Sequence, residues 1–268
     1  MAPAAASLRV RQPAVAGLFY PDDPDELAEL LNELLQGDGA PQPTLKALIV
    51  PHAGYVYSGA VAAAAFRLLR AEIGRVSRVV LLGPSHRIPF RGLAVPTVAA
   101  FATPLGEIPI DTPARDALLE LPQIHATDAP HAEEHSLEVE LPFLQKLLGS
   151  FNVLPIAAGD ASAAEVAETL DAVWGGRDTL VVVSTDLSHY HDYETARILD
   201  RATNEAILAF TERLGGEQAC GCVGLNGFLR AARARTLRIE LKDLRNSGDT
   251  AGDRARVVGY GAWAVFDA

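Results

Sequence analysis

Short apolar runs alternate with amphipathic stretches along most of the chain, and three of the runs end alike. Leu45 to Val50 (LKALIV) is branched and mostly apolar, the pattern of a strand buried on both faces. Pro51 stops it, having no N–H for the ladder, and His52 follows. Val79 to Leu82 runs into Gly83-Pro84-Ser85-His86, and Thr179 to Val183 runs into Ser184-Thr185-Asp186-Leu187-Ser188-His189-Tyr190. Three strands that each deliver a histidine at the same end form a constellation. That end is where open α/β sheets bind ligands.

The stretches between them read as helices. Asp23 caps one that runs to about Gln36, with Pro24 at its first position, and Gly37-Asp38-Gly39 ends it. The alanine-rich segment from about Ser58 to Ile73 is apolar nearly all round, so a buried helix is expected. Thr112 is expected to cap a helix, with Pro113 at its first position, that ends near Leu121; others are predicted before Leu148, from Ala161 to Trp174, from Asp192 to Leu214 and from Glu217 to Ala232. Further strands are expected at Leu93 to Val95, Asn152 to Ala157, Thr236 to Leu244 and Arg256 to Phe266, the last two joined by a mobile loop, Asn246 to Arg254. Residues 8 to 21 form an extended lead-in packed by Val15, Leu18, Phe19 and Tyr20, and Ala40 to Thr44 form a loop. There is no repeat, low-complexity tract or linker. The expectation is one α/β domain over 1–268, with a central, mainly parallel or mixed sheet flanked by helices.

Composition narrows the function classes. The net charge of −11 argues against a nucleic-acid partner, and no apolar run approaches the roughly 20 residues that cross a bilayer. Met1 to Ser7 lacks the basic and apolar regions of a secretory signal. Cys220 and Cys222 are too close for an ordinary disulfide, so a reducing cytoplasm is expected.

His52 and His86 suit one ion, since neutral imidazole is a ligand for iron, copper and zinc. Cys220, expected in the first turn of a helix that would favour its thiolate, reads equally as a third ligand or as a small core residue. His189 suits a general base, with Asp186 orienting an imidazole, or else Asp186 or Ser188 simply caps the next helix. His131-Ala132-Glu133-Glu134-His135 matches the H-x-x-E-H zinc-peptidase pattern, but Pro130 precedes it, Ser136 looks like a helix start and Pro142 interrupts soon after. A zinc peptidase is therefore disfavoured. No phosphate loop, nucleophile elbow or dinucleotide fingerprint is present.

Taken together, VRQPAVAGLFYP (10–21), PHAGYVYSG (51–59), LLGPSH (81–86), EEHSLEVELPFLQ (133–145), STDLSHY (184–190), Cys220-Gly221 and NSGDTAGD (246–253) strongly resemble the Memo family, whose prokaryotic members are called AmmeMemoRadiSam system protein B. The resemblance implies a fold related to class III extradiol dioxygenases. It implies His52, His86 and Cys220 as metal ligands, His189 as the acid–base residue, and Asp186 and His135 lining the pocket. Fe(II) is the metal it implies first, with Cu or Zn as alternatives. A thiolate in place of the dioxygenase carboxylate departs from the usual facial triad and brings copper forward. The family also implies a second class of function, a phosphopeptide-binding adaptor using the same cleft, and association with a radical-SAM protein and an AMMECR-type protein. The substrate, a small molecule or a peptide, is left open.

Overall fold

The computed structural model describes residues 9–37 and 45–267. The expectations for Met1 to Ser7, for Asp38-Gly39 and for the loop Ala40 to Thr44 lie outside them. The lead-in carries β1 (Val10–Arg11), and Asp23 caps α1 (Pro24–Leu34), its carboxylate accepting from the N–H groups of Asp25 and Glu26 at 2.9 and 3.0 Å. Val15 and Tyr20 are buried, but Leu18 is 81% exposed, against expectation. Two tight backbone bonds, Gly17 N–H to Tyr20 and Leu18 N–H to Val15, place it at the tip of a turn.

Every residue of β2 (Leu45–Val50) is buried. The expected helix over 58–73 is three helical segments in series: a π-type turn at Tyr55–Gly59, α2 (Ala60–Phe66) and a 3-10 turn at Arg67–Glu72. Next come β3 (Arg78–Pro84), β4 (Leu93–Val95), β5 (Ala100–Thr103), β6 (Gly106–Pro109) and α3 (Thr112–Leu118). Asp111, not Thr112, caps α3, accepting from Ala114 N–H at 3.0 Å. The polar stretch 122–135 holds β7 (Ile124–Ala126) and the single turn α4 (Ala129–Ala132). Pro142 lies in the first turn of α5 (Leu141–Leu148), so it opens that helix where an interruption was expected.

After β8 (Asn152–Ala158), Ser162 and Glu165 form a capping box for α6 (Ala163–Val173). β9 (Thr179–Ser184) and β10 (His189–His191) precede α7 (Tyr193–Leu208), which Asp192 caps; neither Asp186 nor Ser188 does. The helix stops short of Leu214 because Phe210 takes a left-handed φ of 54°. α8 (Cys222–Ala234) starts later than expected, leaving Cys220 in the preceding turn. The chain ends in β11 (Arg238–Asn246) and β12 (Val257–Phe266). Their connection opens on a 3-10 turn at Ser247–Asp249, in which Asn246 Oδ1 accepts from Gly248 N–H at 2.9 Å and Asp249 accepts from Asn246 N–H at 3.1 Å.

Strands β2, β9, β3 and β8 run parallel in that order at the centre of a nine-stranded sheet. β12 adds to β2 antiparallel and itself carries β10 and β11, while β4 pairs antiparallel with β8 and leads to β7. The sheet is therefore mixed, with a parallel centre. β1, β5 and β6 form a separate small sheet. Alternate residues of each strand face opposite cores. Leu48 and Val50 join Leu27, Leu31, Phe66 and Phe143 on one side, and Ala47 and Ile49 join Val166, Leu170 and Phe228 on the other. Because β2, β9 and β3 are parallel and adjacent, their C-terminal ends meet along one edge, and each sends a histidine beyond it. Among the described residues no helix is long and apolar enough to cross a membrane.

Candidate metal centre

His52, His86 and Cys220 each offer a ligand atom, and these atoms all lie within 4.8 Å of one another. Cys220 Sγ is 3.3 Å from His52 Nε2. A sulfur and a nitrogen bound to one tetrahedral zinc are roughly 3.5 Å apart, so this pair is already spaced for a shared ion.

The second nitrogen of each imidazole is occupied, which aims the first. His52 Nδ1 lies 2.7 Å from Ser184 Oγ, the last residue of β9. His86 Nδ1 donates to Glu134 Oε1 at 2.9 Å, and the other carboxylate oxygen accepts His86 N–H at 2.6 Å. Outer partners of this kind fix ring orientation and raise ligand basicity. Cys220 is held from the backbone: Asp186 N–H reaches its sulfur at 3.3 Å, and Gly221 N–H donates to Thr185 Oγ1 at 2.9 Å.

Electrostatics keep the His52 imidazole neutral. Burial, then the neighbouring His135 and His86, hold His52 well below its ordinary value. Burial pushes Glu134 up, but bonds from the His86 ring and Ser136 N–H outweigh it and bring the carboxyl down to about 2. Burial, aided by the charge of Asp186, pushes the Cys220 thiol up to about 12. The sequence-based expectation that a helix terminus would favour its thiolate is thus reversed, because Cys220 precedes α8 and its sulfur is packed beside Asp186. Metal binding has to displace that proton.

His135 packs its ring on His86, centroids 4.8 Å apart, and lies 5.3 Å from His52. Burial lowers it to about 4. Asp186 does not orient an imidazole ring. Its carboxylate accepts the backbone N–H of His52 at 2.8 Å, and burial raises it to about 7. His189 Nδ1–H donates to the Leu187 carbonyl at 2.8 Å, and burial lowers its pKa. His135, Asp186 and His189 line a cleft of ≈ 420 Å³ together with Phe19, Tyr57, Tyr190, Arg256 and Tyr260. Tyr190, with a φ of 64°, stands 65% exposed at its rim, and the Arg256 guanidinium lies 5.0 Å from its ring centre.

His131 of the H-x-x-E-H stretch takes no part. It is buried at Phe101 and bonds the Ala94 carbonyl at 3.1 Å, while α4 ends before His135. The helical stagger that a peptidase needs is absent there. A larger hollow of ≈ 640 Å³ lies beside His131 and Arg11; His52, His86 and Cys220 line neither it nor the ≈ 420 Å³ cleft, whose wall His135 and Asp186 share with the cluster's surroundings.

The residues that sequence reasoning missed are the supports. Glu134, Ser184, Glu138 and Glu140 are all buried. For Glu138 and Glu140 the signal was the run from Ser136 to Pro142, where acids alternate with aliphatics just ahead of a buried helix; Glu134 and Ser184 lie outside it. Carboxylates in such a place need partners.

A family model described as "Memo-like protein" matches residues 11–264. The chain is 37% identical to a "MEMO1 family protein" of Aquifex aeolicus over 94% of this chain and 98% of that one. It is 38% identical to one from Methanopyrus kandleri over 94% and 97%. Among solved structures, an uncharacterized Escherichia coli K12 protein covers 82% of this chain and 99% of its own at 15% identity, with a TM-score of 0.48.

Proposed function

Because this chain belongs to the Memo-like family, we propose that it is a non-haem metal protein that carries out redox or oxygen chemistry on a substrate entering the cleft. One observation carries this reading: two imidazoles and a thiol converge at the C-terminal edge of the parallel strands, with both Nδ1 atoms already engaged. The donor set suits Fe(II), with Cu or Zn as competitors favoured by the soft sulfur. Such an ion supplies open positions for oxygen or substrate and a route for electrons. The rest of the work falls to side chains. His189, neutral at pH 7 and tethered at Nδ1, has Nε2 to take or give a proton. His135 and Phe19, ring centres 4.9 Å apart, form one wall of the cleft. A reducing cytoplasm keeps Cys220 available as a ligand.

The test is oxygen uptake by the Fe(II)-loaded protein with a catechol as probe. Uptake above that of a Cys220→Ser control supports turnover, and equal uptake removes the catalytic part of the reading.

A second reading, a non-catalytic adaptor for a peptide or phosphopeptide, is favoured by Arg256 stacked on exposed Tyr190 at the cleft rim. It calls for peptide binding that a chelator leaves unchanged. Association with a radical-SAM protein and an AMMECR-type protein belongs to either reading and is tested by co-purification.

A further inference from the structure

We infer that Ser184 and Glu140 are positioning residues that fix His52 as its Nδ1–H tautomer, so that Nε2 presents its lone pair beside Cys220. The inference rests on proton counting around one oxygen. Ser184 Oγ has three partners: the Ser136 carbonyl at 2.6 Å, His52 Nδ1 at 2.7 Å and Glu140 Oε1 at 2.9 Å. A hydroxyl has one proton to donate and two lone pairs. The Ser136 carbonyl can only accept, so at 2.6 Å it must receive that proton. The two remaining partners must then be donors. His52 carries its proton on Nδ1, and Glu140 carries one on Oε1.

The alternatives leave two oxygens at 2.6 Å with no proton between them. If Ser184 donated to His52, or to an ionised Glu140, the Ser136 carbonyl would face a lone pair at that distance. The surroundings of Glu140 agree with a neutral acid. It is fully buried, its Oε2 has no hydrogen-bond partner, and no cation pairs with it among the described residues. An ionised carboxylate would leave that oxygen charged and unsatisfied, and burial accordingly raises the Glu140 pKa well above its ordinary value. Nε2 of His52 is then an acceptor, matched to the Cys220 thiol 3.3 Å away, whose proton occupies the direction an ion would take.

The two histidines thus reach the same tautomer by different devices. His86 is held by an ionised glutamate, Glu134, and His52 by a neutral one acting through a serine. A neutral support leaves the His52 ring without an anion beside Nδ1.

The consequence for an ion rests on the metal reading above, but the test does not. In apo protein labelled with ¹⁵N-histidine, long-range ¹H–¹⁵N correlation reads the tautomer of His52, assigned by its loss in His52→Asn. The wild type is expected to show Nδ1 protonated and Nε2 bare. Glu140→Gln, whose amide N–H replaces the acid O–H, should leave that pattern and Zn(II) affinity within about twofold. Ser184→Ala should mix the tautomers and weaken Zn(II) about tenfold or more, the scale of lost outer partners. An Nε2–H wild type, an unchanged tautomer in Ser184→Ala, or a changed one in Glu140→Gln overturns the inference. A protein with the expected tautomer that binds no Zn(II) leaves it standing and refutes the metal reading instead.

Discussion

His86 and Glu134 are joined twice: one carboxylate oxygen accepts the His86 backbone N–H at 2.6 Å, and the other accepts its ring Nδ1 at 2.9 Å. The same carboxylate also takes the N–H groups of His135 and Ser136, each at 3.0 Å. All its capacity is spent on holding one imidazole and the turn behind it. Glu134→Gln replaces an acceptor by an amide donor facing an N–H group and removes the charge. Metal affinity, read by competition with a chromogenic chelator, should fall about 10–100-fold while the fold persists.

The lead-in is fastened to the site's underside by a buried ion pair. Arg11 donates to Glu138 at 2.5 Å and to the carbonyls of His131 and Glu134 at 2.8 and 2.6 Å. Glu138 also accepts from Tyr20 Oη at 2.6 Å and from the N–H groups of Ala14 and Val15 at 2.8 and 3.0 Å. Glu138→Ala leaves a buried guanidinium without its partner and should cost about 3–5 kcal/mol. Urea unfolding checks this. A loss below about 1 kcal/mol would mean that water reaches Arg11.

Acid should weaken the fold in two stages. His131 is lowered by burial to about 4, so the unfolded chain takes up its proton first as pH falls. Its contribution is complete above the ordinary histidine value and is lost between about 6.5 and 4. Glu134, brought down to about 2, stabilises above the ordinary carboxylate value and loses that contribution as pH falls from about 4.5 toward 2. Each contribution is at most about 3 kcal/mol. Asp186 acts oppositely: raised to about 7, it favours the fold at low pH and loses that contribution as pH rises from about 4 to 7. Thermal midpoints from pH 3.5 to 8 should therefore rise more steeply with pH in Asp186→Asn than in wild type between pH 4 and 7.

Gly221 sits where no side chain fits. A Cβ there would lie 2.7 Å from the Ser184 carbonyl oxygen and 2.8 Å from Thr185 Cβ. Gly221→Ala should push the turn before α8 outward and carry Cys220 with it. Metal affinity should fall at least about tenfold, the scale of a lost support, with little change in the unfolding midpoint.

Much of this was legible in the chain itself. Strands that end in proline or at a buried serine announce their own termini, so the placement of His52, His86 and His189 along one edge followed from local pattern. Cys220 was harder. Its turn is set by Thr185 and Asp186, remote in sequence, and the apolar run around it read as helix from Glu217. The supports were harder still. Glu134 and Ser184 matter through hydrogen bonds across the fold, which no local periodicity encodes. Glu134 was also masked by a peptidase-like spacing that α4 is too short to realise. Leu18 misled because an aliphatic side chain in a tight turn need not pack.

The most direct measurement of the central claim is X-ray absorption on the protein loaded with one equivalent of Zn(II), a redox-silent probe. With His52, His86 and Cys220 as ligands, the spectrum contains one sulfur at about 2.3 Å and nitrogen at about 2.0–2.1 Å. The sulfur shell disappears in Cys220→Ser, and imidazole scattering drops in His52→Ala. A zinc site with no sulfur in wild type, or a sulfur shell that survives in Cys220→Ser, would contradict the account.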